Sequence, residues 1–203
     1  LVHEQSLPLP VKQRRDALWE YYQVFGGELL WLGSRRPNEL LARLQNAASD
    51  GLDPKDYPSK QLAGLAAAKS TDDKRSLALV ELFFSAAFLE YASDIKVGRF
   101  LPRKVDPNFF IEGRTIDQTA ALKSLASADS LDRFFSAWQP SNPRYAALRS
   151  ALANYLALAD KGGWGSIPLG EALTPGMKDP RVPAIRTRLK LTAGVGPSST
   201  EPE

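Results

Sequence analysis

The sequence predicts an all-α fold, and three observations support that prediction. Apolar residues recur at steps of three and four along most of the chain, as on the buried face of a helix. Glycines and residues that favour helix N-termini separate these runs. No stretch shows the apolar and polar alternation that is typical of a half-buried strand. We therefore expect an irregular bundle of about seven or eight helices around one core, with a long central helix and a disordered C-terminal tail.

The first two predicted helices are separated by glycines and turn residues. The first contains "VKQRRDALWEYYQVF" and ends or bends at Gly26 and Gly27. In the second, Ser34 is the expected N-cap and Pro37 lies in the first turn. Gly51 stands where a left-handed residue commonly ends a helix. These signals predict two adjacent helices with a sharp corner after the second.

The longest predicted helix follows Thr71, its expected cap, and ends at Gly98. Its apolar residues cover so much of the circumference that we expect it to be central. The positions that define its main stripe are Leu77, Val80, Phe84, Phe88 and Tyr91. The segment 99–114 should be irregular, because two prolines interrupt it.

Four helices are predicted in the second half of the chain, and three of them have an expected capping residue. Asp117, with Thr115, opens a helix to about Ala128, and a short amphipathic helix follows in "SLDRFFSAW". Asn142 is the expected cap of a longer helix with Pro143 at its first position. The predicted buried face of that helix consists of Tyr145, Leu148, Leu152, Tyr155 and Leu156. A last short helix is predicted with Asp179 as its cap and Pro180 at its first position.

The corner "DGLDPKDY" concentrates more turn chemistry than a simple connector needs. Gly51 ends one helix, and Leu52 can fold back on its last turn. Asp53 and Pro54 start a new helical turn as cap and first residue. Tyr57 then places an aromatic ring against the core. We interpret these five residues as a structural motif that fixes the angle between neighbouring elements.

Composition restricts the chemistry of the chain. Its 203 residues include 26 Lys and Arg against 23 Asp and Glu, a net charge of +3, and the basic residues are dispersed. Such a distribution does not predict a nucleic-acid partner. The chain has no cysteine, and its single histidine is His3. Thiol catalysis and a histidine-based triad are therefore excluded for this chain, and we expect no metal and no cofactor. No apolar run approaches the length of a membrane span.

No pair of carboxylates is arranged for sugar cleavage. Glu90 and Asp94 are four residues apart on one helical face, where they cannot flank a glycosidic bond, and we expect them to be solvated or to cap. Glu81 has helical neighbours and no marked partner. Trp19, Trp31 and Trp138 are interpreted as packing residues. A carbohydrate-cleaving enzyme is thus a minor alternative, which release of muropeptides from sacculi by the chain would support.

Five segments, in the same order, resemble one family. They are "RRDALWEYYQ", "LARLQNAASDGLDPKDY", "LVELFFSAAFLEYASDIKVGRFLP", "WQPSNPRYAALRSALANYLALADKGGW" and "LTPGMKDPRVPAIRTRLKL". Together they resemble the scaffold domain of large periplasmic murein L,D-transpeptidases, with the start of the peptidoglycan-binding module that follows it. The resemblance implies a helical scaffold domain at 11–172, an incomplete glycan-binding-like module at 173–192 and a disordered tail at 193–203. It also implies a periplasmic location in a Gram-negative cell envelope.

The chemistry of that family is not transferred to this chain. L,D-transpeptidases use a cysteine thiolate, activated by histidine in a Ser-His-Gly-Cys-type motif, to attack a stem peptide. The chain contains no residue that matches that cysteine. We therefore predict a non-catalytic scaffold that positions catalytic and glycan-binding parts for cell-wall cross-linking, although the family itself is one of acyltransferases. A stand-alone all-α adaptor that docks on a separate cell-wall enzyme is the alternative.

Three residues are candidate contacts with glycan, stem peptide or a partner. Arg99 and Arg103 can form bidentate pairs with carboxylates, and Trp164 can stack on a sugar face. The structural alternative for all three is ion pairing and packing. The expected partner is the catalytic transpeptidase domain or another cell-wall enzyme, and peptidoglycan is a further candidate. The oligomeric state is left open by the sequence, and so is the choice between a fragment and a complete mature protein. In either case the missing initial Met suggests a processed or trimmed product.

Overall fold

The computed structural model describes residues 9–68 and 73–193, and the backbone in these ranges is helical, with turns and no strand. The helices are α1 (Leu9–Gln13), α2 (Arg15–Trp19), α3 (Arg36–Gln45), α4 (Ser59–Ala68), α5 (Lys74–Lys96), α6 (Pro102–Val105), α7 (Gln118–Ala126), α8 (Leu131–Trp138), α9 (Pro143–Asp160) and α10 (Val182–Ala193). The predicted all-α class is confirmed. Thr71 and all of the predicted tail except Ala193 lie outside the described residues.

Helix α5 is the central helix, as its apolar stripe predicts. It spans 23 residues, of which eleven have buried side chains. Helices α1, α2, α3, α4, α7 and α8 all pack against it. Phe84, Phe88 and Tyr91 lie at the centre of this core, while Trp31 packs on Phe84 with ring centroids 5.5 Å apart. A single core therefore forms around one helix.

The first predicted helix is divided into three parts. Helix α1 ends before Arg14, α2 follows, and the π-helical turn Glu20–Val24 continues α2. Gly26 has a φ of +58° and ends this turn, as predicted. The division, together with the short helix α6 inside the segment predicted to be irregular, explains why the structure contains more helices than the sequence suggested.

Most predicted helix caps are observed. The side chains of Asp117 and Asn142 accept hydrogen bonds from Ala120 and Arg144 backbone N–H groups, each at 2.9 Å. Ser34 is an exception, because its hydroxyl donates to the carbonyl oxygens of Leu30 and Trp31. The predicted N-cap role of Ser34 is therefore wrong.

Residue contacts divide the chain into two compact units, one ending at Pro140 and one beginning at Ser141. The buried core lies entirely in the first unit. In the second unit, α9 has no buried side chain, so the predicted buried face of α9 is wrong. Leu148 in that face is 69% exposed. The predicted domain boundary near residue 173 stays a prediction.

Helix α5 also has the length and composition of a membrane span, contrary to the expectation that no apolar run is long enough. More than half of its most apolar window is buried inside the structure. The core helix of a globular unit meets the same two criteria, so length and composition do not distinguish the two cases.

Candidate functional site

The corner segment, residues 47–57, begins with a closed helix end. A 3-10 turn, Ala47–Asp50, follows α3, and Gly51 adopts a φ of +79°. The N–H of Leu52 donates to the carbonyl oxygen of Ala47 at 3.1 Å, and the N–H of Gly51 donates to Ala48 at 3.0 Å. This pair of bonds is the Schellman arrangement, which satisfies carbonyls at the end of a helix and needs a left-handed residue where Gly51 stands.

The second half of the corner segment is a capped turn. The Asp53 carboxylate accepts a hydrogen bond from the N–H of Lys55 at 2.9 Å, and Pro54 occupies the first position of the 3-10 turn Pro54–Asp56. Tyr57 leaves this turn in an extended conformation, and its ring is buried. The local conformations of the motif are those that its turn chemistry predicted.

The corner segment is fastened to α5 by two short hydrogen bonds. The Tyr91 hydroxyl donates to Asp50 at 2.6 Å, and the Tyr57 hydroxyl donates to Asp94 at 2.6 Å. The two tyrosine rings meet edge to face, with centroids 5.2 Å apart. Asp94 is therefore an acceptor for the corner segment, and the expectation that it is solvated or a cap is wrong. Two phenols and two carboxylates thus hold the segment on one face of α5.

Asp50 is the centre of this network. Its side chain is fully buried and pairs with the Arg43 guanidinium at 2.9 Å. Gln139, at the end of α8, donates its amide N–H to the other Asp50 oxygen at 2.9 Å. The Arg43 guanidinium also lies over the Phe135 ring, 5.1 Å from its centroid. Asp50 therefore joins α3, α5 and α8 through one carboxylate, and a buried charge of this kind needs such partners.

Burial and neighbouring carboxylates alter the ionisation of these tyrosines. Burial, followed by the hydrogen bond to Asp94, raises the pKa of Tyr57 far above its usual value. Burial and the hydrogen bond to Asp50 raise the pKa of Tyr91 in the same way. Both phenols therefore keep their protons and act as hydrogen-bond donors.

Arg99, which follows α5, contacts the corner segment through its side chain. Its guanidinium forms an ion pair with Asp56 and approaches Asp94 at 3.9 Å. The hydrogen bond to Asp56 is the main cause of its raised pKa. The structure thus places this candidate contact residue in an ion pair within the chain. A role for Arg99 in binding the cell wall stays a prediction.

The other two candidate contacts lie far from the corner segment along the chain. Arg103 is exposed on α6, and its guanidinium lies 5.2 Å from the centroid of the exposed Phe110 ring. Trp164, in the second unit, is partly buried between Tyr155 and Arg188, whose guanidinium is 4.1 Å from its ring centroid. Arg103 and Trp164 thus each take part in a cation–π contact within the chain, Arg103 as the cation and Trp164 as the ring. Sugar or peptide binding by either residue stays a prediction.

The most extensive polar site is one that the sequence did not reveal. Glu81 on α5 is buried, and its oxygens accept hydrogen bonds from three consecutive backbone N–H groups, those of Leu30, Trp31 and Leu32, at 2.8–3.0 Å. The Tyr22 hydroxyl donates to the same carboxylate at 2.9 Å. One side chain therefore holds a non-helical segment that would otherwise leave several buried donors unsatisfied.

Ser85, one helical turn after Glu81, completes this cluster. Its hydroxyl oxygen accepts from the Trp31 indole N–H at 2.8 Å and shares a hydrogen bond with the Tyr22 hydroxyl at 2.8 Å. Burial and the Glu81 carboxylate raise the pKa of Tyr22. One sequence signal could have identified the site, because Glu81 occupies a position of the apolar stripe of α5. An acid at a core position needs buried donors.

Glu90, the other half of the predicted solvated pair, is half-buried on α5. Burial raises its pKa, and Arg14 opposes that rise. The expectation that Glu90 is solvated is therefore wrong. Trp19 also differs from its predicted packing role, because 56% of it is exposed, whereas Trp31 is buried as predicted.

The carboxylates of these sites hold backbone, phenol and guanidinium groups in place. Within residues 9–68 and 73–193, no group of three or more His, Cys, Asp or Glu side chains is arranged to hold a metal ion. Through these contacts, segments that are far apart in the chain are held in fixed positions on α5. The arrangement of these polar groups is suited to positioning segments of the chain.

Comparison with known proteins gives one match. The family model described as Scaffold domain matches residues 16–152, which is more than half of the chain. No curated protein and no solved structure matches it. The matched range includes the corner segment, the Glu81 cluster and the whole of α5. The chain therefore belongs to the Scaffold domain family.

Proposed function

We propose that this chain is the non-catalytic scaffold of a murein L,D-transpeptidase-like system and acts in the periplasm. In this role it positions a catalytic domain and a glycan-binding part for cross-linking of the cell wall. Membership of the Scaffold domain family is the observation that carries the proposal. The resemblance of its segments to the scaffold of murein L,D-transpeptidases supplies the cell-wall context and the location.

The fastening of non-helical segments to α5 supports a positioning role. Asp50 and Glu81 each connect elements that are far apart in the chain. Such carboxylates restrict the angles between the elements that they join, because a small displacement would leave a buried charge unpaired. A frame with fixed angles is what a scaffold needs in order to hold other parts at defined positions.

An exposed apolar segment, residues 100–111, supports binding of a protein partner. Phe100 and Phe110 are each 75% exposed, and Leu101, Val105 and Ile111 are also exposed. Exposed aromatic and aliphatic groups in one short segment are typical of a protein–protein interface. The same segment supports the alternative of an adaptor, since a catalytic domain could be supplied by the same polypeptide or by another one.

A binding experiment tests the proposal. The chain is titrated into a thiol-dependent L,D-transpeptidase catalytic domain from the same organism, and the heat of binding is measured. We expect binding, and we expect a Phe100→Ser/Phe110→Ser variant to bind at least about tenfold more weakly. Leu148→Ser/Leu156→Ser, which changes two exposed residues of α9, is the matched control.

Two further measurements distinguish the outcomes. Incubation of the chain alone with muropeptides should give no new cross-links, and cross-linking by the chain would overturn the proposal. Absence of binding both to the catalytic domain and to purified sacculi would also overturn it. An in-frame Ser-His-Gly-Cys-type motif downstream of residue 203 would favour a scaffold acting within one polypeptide, and a stop codon there would favour the adaptor.

A further inference from the structure

An apolar groove of about 650 Å³ lies beside the Glu81 cluster. Its walls come from α1, α2 and the π-helical turn on one side and from the first half of α5 on the other. Trp19 and Leu29 stand in its walls and are 56% and 61% exposed. Its lining also includes Arg15, Tyr22, Lys74, Leu77, Ala78 and Leu82. The volume is within the range of about 300–1,000 Å³ that binding pockets commonly have.

The polar groups at the base of the groove are already bonded within the chain. Both Glu81 oxygens accept backbone N–H groups, and the Tyr22 hydroxyl is bonded to Glu81 and Ser85. A ligand would therefore gain little by presenting polar groups to the base, and it would lose its own hydration there. The part of an occupant that enters the groove should be apolar.

The rim of the groove has a different chemistry. Arg15 and Lys74 are the charged residues at the openings among the described lining residues. Lys74 is the first residue of α5 and follows its capping residue Asp73, and Arg15 is the first residue of the short helix α2. Arg15 pairs with Asp16 at 3.1 Å, and Asp16 is highly exposed and does not line the groove. Carboxylates on an occupant would meet a complementary charge on both sides.

We propose that this groove binds a partner polypeptide: an amphipathic helix whose apolar side chains enter it and whose flanking carboxylates face Arg15 and Lys74. Helices commonly bind in grooves through apolar residues at helical spacing, and tryptophan is frequent at such interfaces. The inference rests on the proposed scaffold function in one respect, the choice of a polypeptide as the occupant. The groove, its apolar walls and its cationic rim are independent of that function.

Two synthetic peptides test the proposal with the full chain. Both are about four helical turns long and share the same leucine stripe. Their polar positions carry glutamate in one and lysine in the other. Nuclear magnetic resonance of methyl groups should show shifts of Leu77 and Leu82 with the glutamate peptide. We expect that peptide to bind at least about tenfold more tightly than the lysine peptide.

Variants separate the groove from the rest of the surface. Ala78 is exposed and lines the groove, so Ala78→Glu should abolish binding of the glutamate peptide without unfolding the chain. Ala63→Glu, at an exposed position of α4 outside the groove, is the matched control. Arg15→Glu/Lys74→Glu should reverse the preference between the two peptides. Lys55→Glu/Lys60→Glu gives the same change in net charge at exposed lysines and should leave the preference unchanged.

Three outcomes would overturn the proposal: equal binding of the two peptides, shifts that lie outside the groove, or no binding. Dodecanoate is titrated in parallel, and groove shifts with dodecanoate but with neither peptide would assign the groove to a small amphiphile instead. Failure of the peptides leaves the scaffold function standing if the chain still binds the catalytic domain. Absence of binding to both the catalytic domain and purified sacculi, with the peptides bound, would overturn the scaffold function and leave the groove assigned.

Discussion

Helices α5 and α9 are the two longest helices of the described chain, and they differ most in how much of each is buried. Helix α5 has 23 residues and eleven buried side chains, whereas α9 has 18 residues and none. Both begin with a capping side chain that accepts a backbone N–H, Asp73 in α5 and Asn142 in α9. Local signals therefore determine where each helix forms, and burial depends on what the rest of the chain brings against it.

What α5 has in addition is a set of polar anchors. Glu81, Ser85, Tyr91 and Asp94 bind donors or acceptors on residues that lie 37 to 54 positions earlier in the chain. Glu81 satisfies the backbone N–H groups of a connecting segment, whereas Ser85, Tyr91 and Asp94 bind side chains of such segments. Distant segments are therefore held on α5 by buried hydrogen-bond acceptors as well as by apolar contacts. Four predictions test this conclusion.

The largest expected effect is that of removing the Glu81 carboxylate. Glu81→Ala would leave three backbone N–H groups without their acceptor and remove one of the two partners of the Tyr22 hydroxyl, so we expect the free energy of unfolding to fall by about 3–5 kcal/mol. Glu81→Gln keeps one acceptor oxygen and should lose less. Urea unfolding followed by circular dichroism measures the change.

The matched control for Glu81 is Glu28→Ala, which removes an exposed carboxylate close to the same segment. We expect a change within about 0.5 kcal/mol for this variant. Similar losses of unfolding free energy for Glu28→Ala and Glu81→Ala would show that the buried Glu81 carboxylate stabilises the fold no more than an exposed one. The proposed difference between α5 and α9 would then be wrong.

Asp50 should have the second largest effect. Asp50→Ala removes the common partner of Arg43, Tyr91 and Gln139, and it leaves the partly buried Arg43 guanidinium with only the exposed Asp132, at 3.5 Å, as an ion-pair partner. We expect a loss of about 2–4 kcal/mol in the free energy of unfolding. Asp53→Ala, which removes only the exposed cap in the same corner segment, should lose about 1 kcal/mol. Equal losses from the two variants would contradict a central role for Asp50.

The parts of the structure that the sequence predicted are those that depend on neighbouring residues. The left-handed Gly51, the caps Asp53, Asp117 and Asn142, and the central apolar stripe of α5 all follow from local conformational preferences. Short segments of the sequence also indicate the family resemblance, and the family match supports the scaffold part of that resemblance.

The parts that the sequence did not predict depend on residues far apart in the chain. Glu81 binds the Trp31 backbone fifty residues earlier, and Arg99 pairs with Asp56 across 43 residues. Neither partner can be identified by periodicity, because a helical pattern shows which face is apolar and not which distant segment meets it. The exposed face of α9 was missed for the same reason.

A smaller effect is expected from the tyrosine hydroxyls, and it depends on pH. The pKa values of Tyr57 and Tyr91 are raised in the folded chain, so above the unfolded value of about 10 the folded state binds more protons than the unfolded state. Their contribution is complete below about pH 10, and stability therefore falls as the pH rises above it, by at most about 1.4 kcal/mol per pH unit for each tyrosine.

Tyr57→Phe tests this expectation on the anchored face of α5. The variant should lose about 1 kcal/mol at neutral pH with its hydrogen bond to Asp94. Its free energy of unfolding should then fall less steeply than that of the unsubstituted chain between about pH 10 and 11. Urea unfolding at a series of pH values gives both quantities, and parallel curves would show that the Tyr57 proton is not linked to folding.

The smallest effect should come from α9, and it tests the other side of the comparison. Leu148 is 69% exposed, whereas Leu122 of α7 is completely buried. Leu148→Ala should therefore change the free energy of unfolding by no more than about 0.5 kcal/mol, and Leu122→Ala should cost about 2–5 kcal/mol because it leaves a cavity. Hydrogen exchange of the α9 amides gives a local measurement of the same difference. A cost above about 1 kcal/mol for Leu148→Ala would mean that its side chain is packed in solution, and α9 would then belong with α5 among the helices that a partner surface holds in place.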